Sequence, residues 1–321
     1  MNRKEKGYIY IFTIVLISIL ALFFYFIYSY TTNRAYINFN KVEKIQSKYA
    51  AESVLNMKIS EKSFYEEVKN FMFAWENTKN LKVSAKPSDT KVEKLQIKKL
   101  GLNDKEKSDD LVELIAEVKY KNSLAAARIK ANAINKIYKE EDGILNSGKL
   151  PKDDLELIRQ SFDENNWSMS GKKVINLDGD FIYGIKGSKK YIFEEVEEFD
   201  EESGELVKKR NPLYSLGDVD VIIQKSGTLK FESITKNQIF ILNDKVLFND
   251  KVISGIIILN NNAQIVNNCK LEGYLIDLYD KNYGIDLEYH PQVLKYFGLV
   301  LPDYIKFQPI SLNYYDLEDN T

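Results

Sequence analysis

From Tyr8 to Tyr30 the chain carries no charged side chain. At ~1.5 Å per residue a helix of that length spans roughly 35 Å, enough to cross a bilayer. Beyond it Tyr36, Phe39, Val42, Ile45 and Tyr49 recur at steps of three and four, the stripe of an amphipathic helix. Neither Gly nor Pro interrupts the chain from Tyr8 to Lys86. The pattern therefore predicts one helix from about Tyr8 to Met57, with a membrane-crossing part at 8–30 and an amphipathic continuation at 31–62. Ser63-Phe64-Tyr65-Glu66 has the form of a capping box and opens a second, short helix through Phe64, Val68, Phe71 and Trp75.

The rest of the chain changes period. Leu81 to Asp110 is Lys-rich and weakly patterned, whereas Val112, Leu114, Ala116, Val118 and Tyr120 alternate as a half-buried strand does. Ala127, Ile129, Ala131 and Ala133 alternate likewise after Lys121-Asn122, which predicts a hairpin, although the alanines also suit helix. Pro151 to Phe162 reads as a short helix. Thirteen of fifteen glycines and five of six prolines lie from Gly143 onward, so the C-terminal half is punctuated by turns. This divides the region after the long helix into an α+β part at 63–170 and a β-rich part at 171–321. The fold class is α+β, a long N-terminal helix followed by a β-rich ectodomain.

Within the β-rich part a repeat appears. "IFILNDKVLFNDKVISG" (Ile239–Gly255) is followed by "IIILNNNAQIVNNCKLEG" (Ile256–Gly273) and "YLIDLYDK". The first two units differ in length by a single position and share I-x-I-L-N, a later Asn and a closing Gly. Each is the size of one coil of a small β-solenoid, with Asn and Gly suited to left-handed corners. The span 239–278 is thus a short solenoid-like segment; a β-meander with Asn turns fits the same pattern.

Composition narrows the function. Lys+Arg number 45 and Asp+Glu 47, so no overall basic field calls for nucleic acid. Cys269 and His290 are the sole residues of their kinds, which excludes an intrachain disulfide and leaves almost nothing for zinc or His-assisted nucleophilic catalysis. No G-x-x-x-x-G-K-[ST] phosphate loop is present. Asp178-Gly179-Asp180 and the acidic run Glu194 to Glu205 could hold a cation, yet neither has the spaced oxygens of an EF-hand, and a turn and a solvated hairpin tip are the simpler readings. His290, before Pro291, and Cys269 read as structural. The 21 tyrosines permit surface adhesion and equally suit strands and lipid interfaces. No catalytic residue, metal site or cofactor is expected.

Arg3, Lys4 and Lys6 form a short basic leader ending in Gly7, directly before the apolar run, and that run ends in bulky residues with no A-x-A cleavage site. This arrangement resembles the class III signal of type IV pilins and type II secretion pseudopilins. In that family a membrane peptidase cuts on the cytoplasmic side, after the Gly, and the apolar helix stays on the mature protein. The resemblance implies a cut between Gly7 and Tyr8, leaving a mature chain that begins at Tyr8. The net charge then moves from −2 to −4, because the leader holds three basic residues and Glu5. Most major pilins carry Glu five residues after the cut, where this chain has Phe12. Its absence resembles K-type pseudopilins and X-type minor pilins, and "KYAAESVLNM" (Lys48–Met57) resembles the Ala-Glu-Ser stretch in the extended helix of X-type minor pilins.

The resemblance implies a minor, tip or priming subunit of a type IV pilus, DNA-uptake or type II secretion-like filament. Phe12, Val15, Ile19, Phe23 and Phe26 would then pack against helices of other pilin-like subunits. The expected partners are those subunits, the prepilin peptidase, the inner-membrane assembly platform and the lipid bilayer, with no nucleic-acid contact. The expected location is a single-pass cell-membrane protein, N-terminus inside and ectodomain outside. An uncleaved single-pass surface binder, for example of wall polysaccharide, also fits the residues, and so does a carboxylate-using membrane-bound hydrolase, although no spacing singles out a pair.

Overall fold

The computed structural model describes residues 3–100, 110–162, 173–200, 205–218, 220–282 and 284–317. Two compact units emerge: residues 1–132 with 308–321, and residues 133–307.

In the first unit, α1 (Arg3–Ile59) is one helix of 57 residues, as the absence of breakers predicts. It is followed by α2 (Phe64–Phe73) and an antiparallel sheet. Its strands are β1 (Thr78–Asn80), β2 (Thr90–Leu100), β3 (Leu111–Tyr120) and β4 (Ser123–Ile134), with the chain's last strand, β18 (Ile305–Asp316), beyond β4. The hairpin expected at Lys121-Asn122 is present: Tyr120 pairs with Ser123, and Lys121 takes φ +50. A bulge in β2, between Val92 and Lys94, adds Glu93 to one strand. It resets the alternation so that Thr90, Leu95 and Ile97 are all buried.

Two details of the second helix differ from the sequence reading. Ser63 is already in helical conformation and its hydroxyl bonds Glu67 Oε1 at 2.9 Å, so no capping box forms. The helix stops at Phe73, where Ala74 turns extended, and Trp75 is left fully exposed while Phe64, Val68 and Phe71 are buried.

The second unit is a parallel β-solenoid, which decides between the coil and meander readings. It holds β5 (Ile144–Asn146), α3 (Lys152–Ser161), β6 (Val174–Asp178), β7 (Phe181–Lys186), β8 (Lys189–Asp200), β9 (Glu205–Leu216), β10 (Val221–Ser226), β11 (Leu229–Phe231), β12 (Gln238–Leu242), β13 (Lys245–Leu247), β14 (Val252–Leu259), β15 (Gln264–Ile265), β16 (Cys269–Asp277), β17 (Ile285–Tyr289) and α4 (Gln292–Phe297). One sheet runs β17-β16-β14-β12-β10-β6 and the other β15-β13-β11-β7, continued by the β8–β9 hairpin. The rungs within each coil stack are parallel and in register: Ile175, Ile222, Phe240, Ile257 and Leu275 form one interior column. The central strands of the larger sheet are buried on both faces, which is why "IFIL" and "IIIL" read as unbroken apolar runs. Phe231 stacks on Phe248 at 5.1 Å and meets Phe240 edge-on at 5.0 Å, filling an interior corner.

The solenoid is longer than the sequence repeat shows. It begins at Val174, because β6 and β7 pair in parallel with β10 and β11. Of the repeat's asparagines Asn249 takes the left-handed corner expected of it; Asn237 and Asp250 are left-handed too, though the repeat did not mark them, and Asn267, the counterpart of Asn249, is not. Gly255 and Gly273 do something else: they lie within strands, where a Cβ would collide with the carbonyl oxygens of Gln238 and Gly255 on the adjoining rung. Their role is close approach of backbones.

Candidate functional site: the long helix

The candidate site is α1, and its residues fall into three stretches. In Tyr8–Ile59 the apolar N-terminal part is long and apolar enough to cross a membrane. Two of its hydroxyls are satisfied by the helix itself, Thr13 on the Ile9 carbonyl at 2.6 Å and Ser18 on that of Ile14 at 2.8 Å, as suits an apolar surrounding. Phe12 (69% accessible), Val15, Ile19, Phe23 and Phe26 all point outward, unpartnered within the chain. Gly7 and Tyr8 sit inside the helix, which starts at Arg3, and Tyr8 is exposed. The side chains of Arg3, Lys4 and Lys6 lie outside the described residues.

The second stretch carries the stripe Tyr36, Phe39, Val42, Ile45 and Tyr49. Every one of these is exposed, Phe39 to 67%. The face that packs onto the sheet is a different one, Ser47, Ala50, Ala51, Val54, Leu55 and Lys58, spaced as one side of a helix. It packs against β3, whose Val112, Leu114, Ala116 and Val118 share one buried face with Ala125 and Ala127 of β4. The small side chains on each side, Ala50 and Ala51 on the helix and Ala116, Ala125 and Ala127 on the sheet, let the two lie close. Ser47 and Ser123 hydroxyls meet at 3.3 Å. Sequence reasoning followed the bulky residues and so missed this face; the "SKYAAES" cluster of small side chains was its one signal.

The third stretch fixes the helix end. Lys58, 1% accessible, places Nζ at 2.7 Å from Glu61 and 2.8 Å from Glu67. Burial alone would lower the Lys58 pKa, but the two carboxylates raise it above its ordinary value. Burial would likewise raise that of Glu61, yet hydrogen bonds from Lys58 and from Ser84 hold it down to about 2. The Tyr314 hydroxyl donates to Glu52 Oε2 at 2.6 Å, which, with burial, pushes the phenol up to about 12.

The other residues considered for chemistry lie apart. Cys269 is buried and its thiol is pushed up to about 12 by burial and by Asp286, so it is an inert packing group. His290 faces Glu288 at 3.2 Å on the surface. Asp178 accepts from the Ser226 hydroxyl and Asp180 from the Thr228 amide, so the pair closes a turn between coils. Glu195 and Glu198 pair with Lys208 and Lys209 across the β8–β9 hairpin; residues 201–204 of the acidic run lie outside the described residues. Among the described residues no three His, Cys, Asp or Glu side chains converge as a metal site would require.

The geometry thus defines a protein with an N-terminal helix of membrane-crossing length that continues as the spine of an antiparallel sheet, and with a parallel β-solenoid. No family model matches the sequence, and no curated protein matches it. Among solved structures the competence-associated pilin ComZ from Thermus thermophilus aligns with 85% of this chain and 98% of its own, at 10% identity and a TM-score of 0.24. A superposition that loose does not establish a common fold.

Proposed function

We propose that this chain is a membrane-anchored, pilin-like filament subunit, of the minor kind that starts or caps a filament. The observation that carries the reading is α1: one unbroken helix leaves the apolar stretch at Tyr30 and runs on to Ile59, with Tyr36, Phe39, Val42, Ile45 and Tyr49 uncovered. A simple tether needs neither a rigid continuation nor exposed aromatics along it. Apolar side chains on a rigid rod outside lipid are stabilised when other helices cover them. In the bilayer, Phe12, Val15, Ile19, Phe23 and Phe26 contact acyl chains; in a filament they contact neighbouring subunits. The ectodomain acts by shape and surface, without a catalytic centre.

Processing by a prepilin peptidase between Gly7 and Tyr8 and hand-over to an inner-membrane assembly platform follow from this reading, with the leader inside and the ectodomain outside. Intact-mass analysis of membrane-extracted protein from a host with an active prepilin peptidase tests it. A chain beginning at Tyr8 is expected. A chain still beginning at Met1 would displace the reading in favour of an uncleaved surface anchor.

A further inference from the structure

The first unit holds a strongly basic cleft that the filament reading does not use. Between Lys79 and Lys99 there are seven lysines against Asp89 and Glu93, in a chain of net charge −2. Two adjoining grooves open there. One, of about 590 Å³, is lined in part by Lys82, Lys86, Lys91 and Lys94; the other, of about 510 Å³, by Lys86, Lys91, Lys119 and Lys121. Lys86 and Lys91 belong to both, so the two form one channel. Lys91 pairs with Glu93 at 3.0 Å and Lys94 with Glu117 at 3.4 Å. Among the described residues Lys82, Lys86 and Lys119 have no ion-pair partner, and Lys121 lies 5.5 Å from the Tyr120 ring centroid.

The wall of this channel is a sheet edge. β1 covers β2 only at Gln96–Lys98, and Leu81 adds one further bond, its amide to the Leu95 carbonyl at 2.8 Å. From Thr90 to Lys94 the edge of β2 faces the loop 82–89 with no strand paired to it. A free edge beside a slot is the geometry that accepts an extended peptide as an added strand. The channel contains no arginine fork and no free aromatic platform, the devices that select nucleic acid. Its lining lysines, Lys82, Lys86, Lys91, Lys94, Lys119 and Lys121, outnumber its two carboxylates, Asp89 and Glu93, and that excess of cations suits carboxylates spaced along a chain.

We propose that this cleft binds an extended acidic segment of a partner polypeptide, which pairs with β2 at Thr90–Lys94 while Lys82, Lys86, Lys119 and Lys121 meet its carboxylates. The test uses the full chain in detergent micelles and a fluorescein-labelled peptide of alternating Glu and Val, followed by anisotropy. A peptide of equal charge with N-methylated backbone amides, and a short DNA duplex, serve as competitors. Saturable binding below roughly 1 mM is expected, together with slowed amide exchange at Val92–Lys94. Changing Lys82, Lys86, Lys119 and Lys121 together to Gln should weaken it about tenfold or more while circular dichroism stays unchanged. Absence of binding, equal binding by the quadruple variant, or competition by the N-methylated peptide as strong as by the parent would each overturn the proposal. So would displacement by DNA without any protection of the β2 edge, which would make the cleft a nucleic-acid surface.

Discussion

Lys58 Nζ lies 2.7 Å from Glu61 Oε2 across the last turn of α1, and Glu61 in turn accepts both the amide and the hydroxyl of Ser84 at 2.6 Å. The buried ammonium and its Glu61 partner therefore tie the end of the long helix to the loop between β1 and β2. A buried charge is tolerable only while its partners remain ionised.

Stability should accordingly depend on pH in acid. The Glu61 carboxyl has a folded pKa of about 2 against an ordinary 4.5. A depressed carboxylate contributes stability that is complete above the ordinary value and fades as pH falls through the folded one. Melting temperature should drop between about pH 4.5 and 2. In Glu61→Gln, which keeps an acceptor for Ser84, that part of the slope should vanish, with a loss at neutral pH of about 1–3 kcal/mol. An unchanged acid slope in the variant would show that the pair is not the titrating element. Lys58 acts at the other end: its raised pKa gives a contribution present below 10.5 and lost only as pH climbs beyond it.

The glycine columns of the solenoid give a second test. Gly255 takes φ +140, and a Cβ there would strike the Gln238 carbonyl. Gly255→Ala should destabilise the solenoid by about 2–4 kcal/mol, combining left-handed strain with the clash. Gly148→Ala is the control, because the nearest atom to its added Cβ is 3.5 Å away and its φ is not positive. Urea denaturation followed by tyrosine fluorescence should separate the two; equal midpoints would mean that the rungs can part without cost.

Much of this architecture was legible in the sequence, and the misses have physical causes. The absence of Gly and Pro from Tyr8 to Lys86 was enough to foresee α1 as one helix. The Asn- and Gly-marked repeat disclosed the coils from Ile239 onward. The earlier coils, β6–β7 and β10–β11, stayed hidden because the long β8–β9 hairpin is inserted between them and breaks the period. The face of α1 that packs on the sheet went unseen for a different reason. Hydrophobic periodicity is read from bulky residues, but a helix that must lie close against a sheet uses Ser47, Ala50 and Ala51. The bulky residues beside them face outward.

That outward stripe makes the stiffness of α1 testable. Val42 is exposed and helical, so Val42→Pro removes no internal packing. It deletes one backbone hydrogen bond and adds a ring clash, at about 3 kcal/mol, and kinks the rod. Membrane fractionation should recover the variant at the normal level, whereas sheared filaments should lack it. Normal incorporation would show that a straight spine is unnecessary and would favour a flexible tether.

The last prediction concerns copy number. Phe12 stands where the major pilins that this leader resembles hold a Glu, and here it presents an aromatic ring at 69% accessibility. In that family the carboxylate is thought to register each incoming subunit on the amino terminus of its neighbour. A carboxylate inside a bilayer costs several kcal/mol unless it is paired, so a subunit carries one when it must meet such a partner repeatedly. On the reading proposed above, a chain with Phe12 would lack that pairing and would begin a filament without being added again. On the proposed reading the bulk of the chain after Ile59, with an antiparallel sheet and a β-solenoid, would also crowd a close-packed helical repeat. Deleting the protein should reduce filaments while the main subunit still accumulates in the membrane. Quantitative proteomics of sheared filaments should find it at a small fraction of that subunit. Near-equal abundance would overturn the assignment. So would a Phe12→Glu variant that is incorporated throughout while filament number and length stay the same, because the carboxylate would then govern neither initiation nor addition.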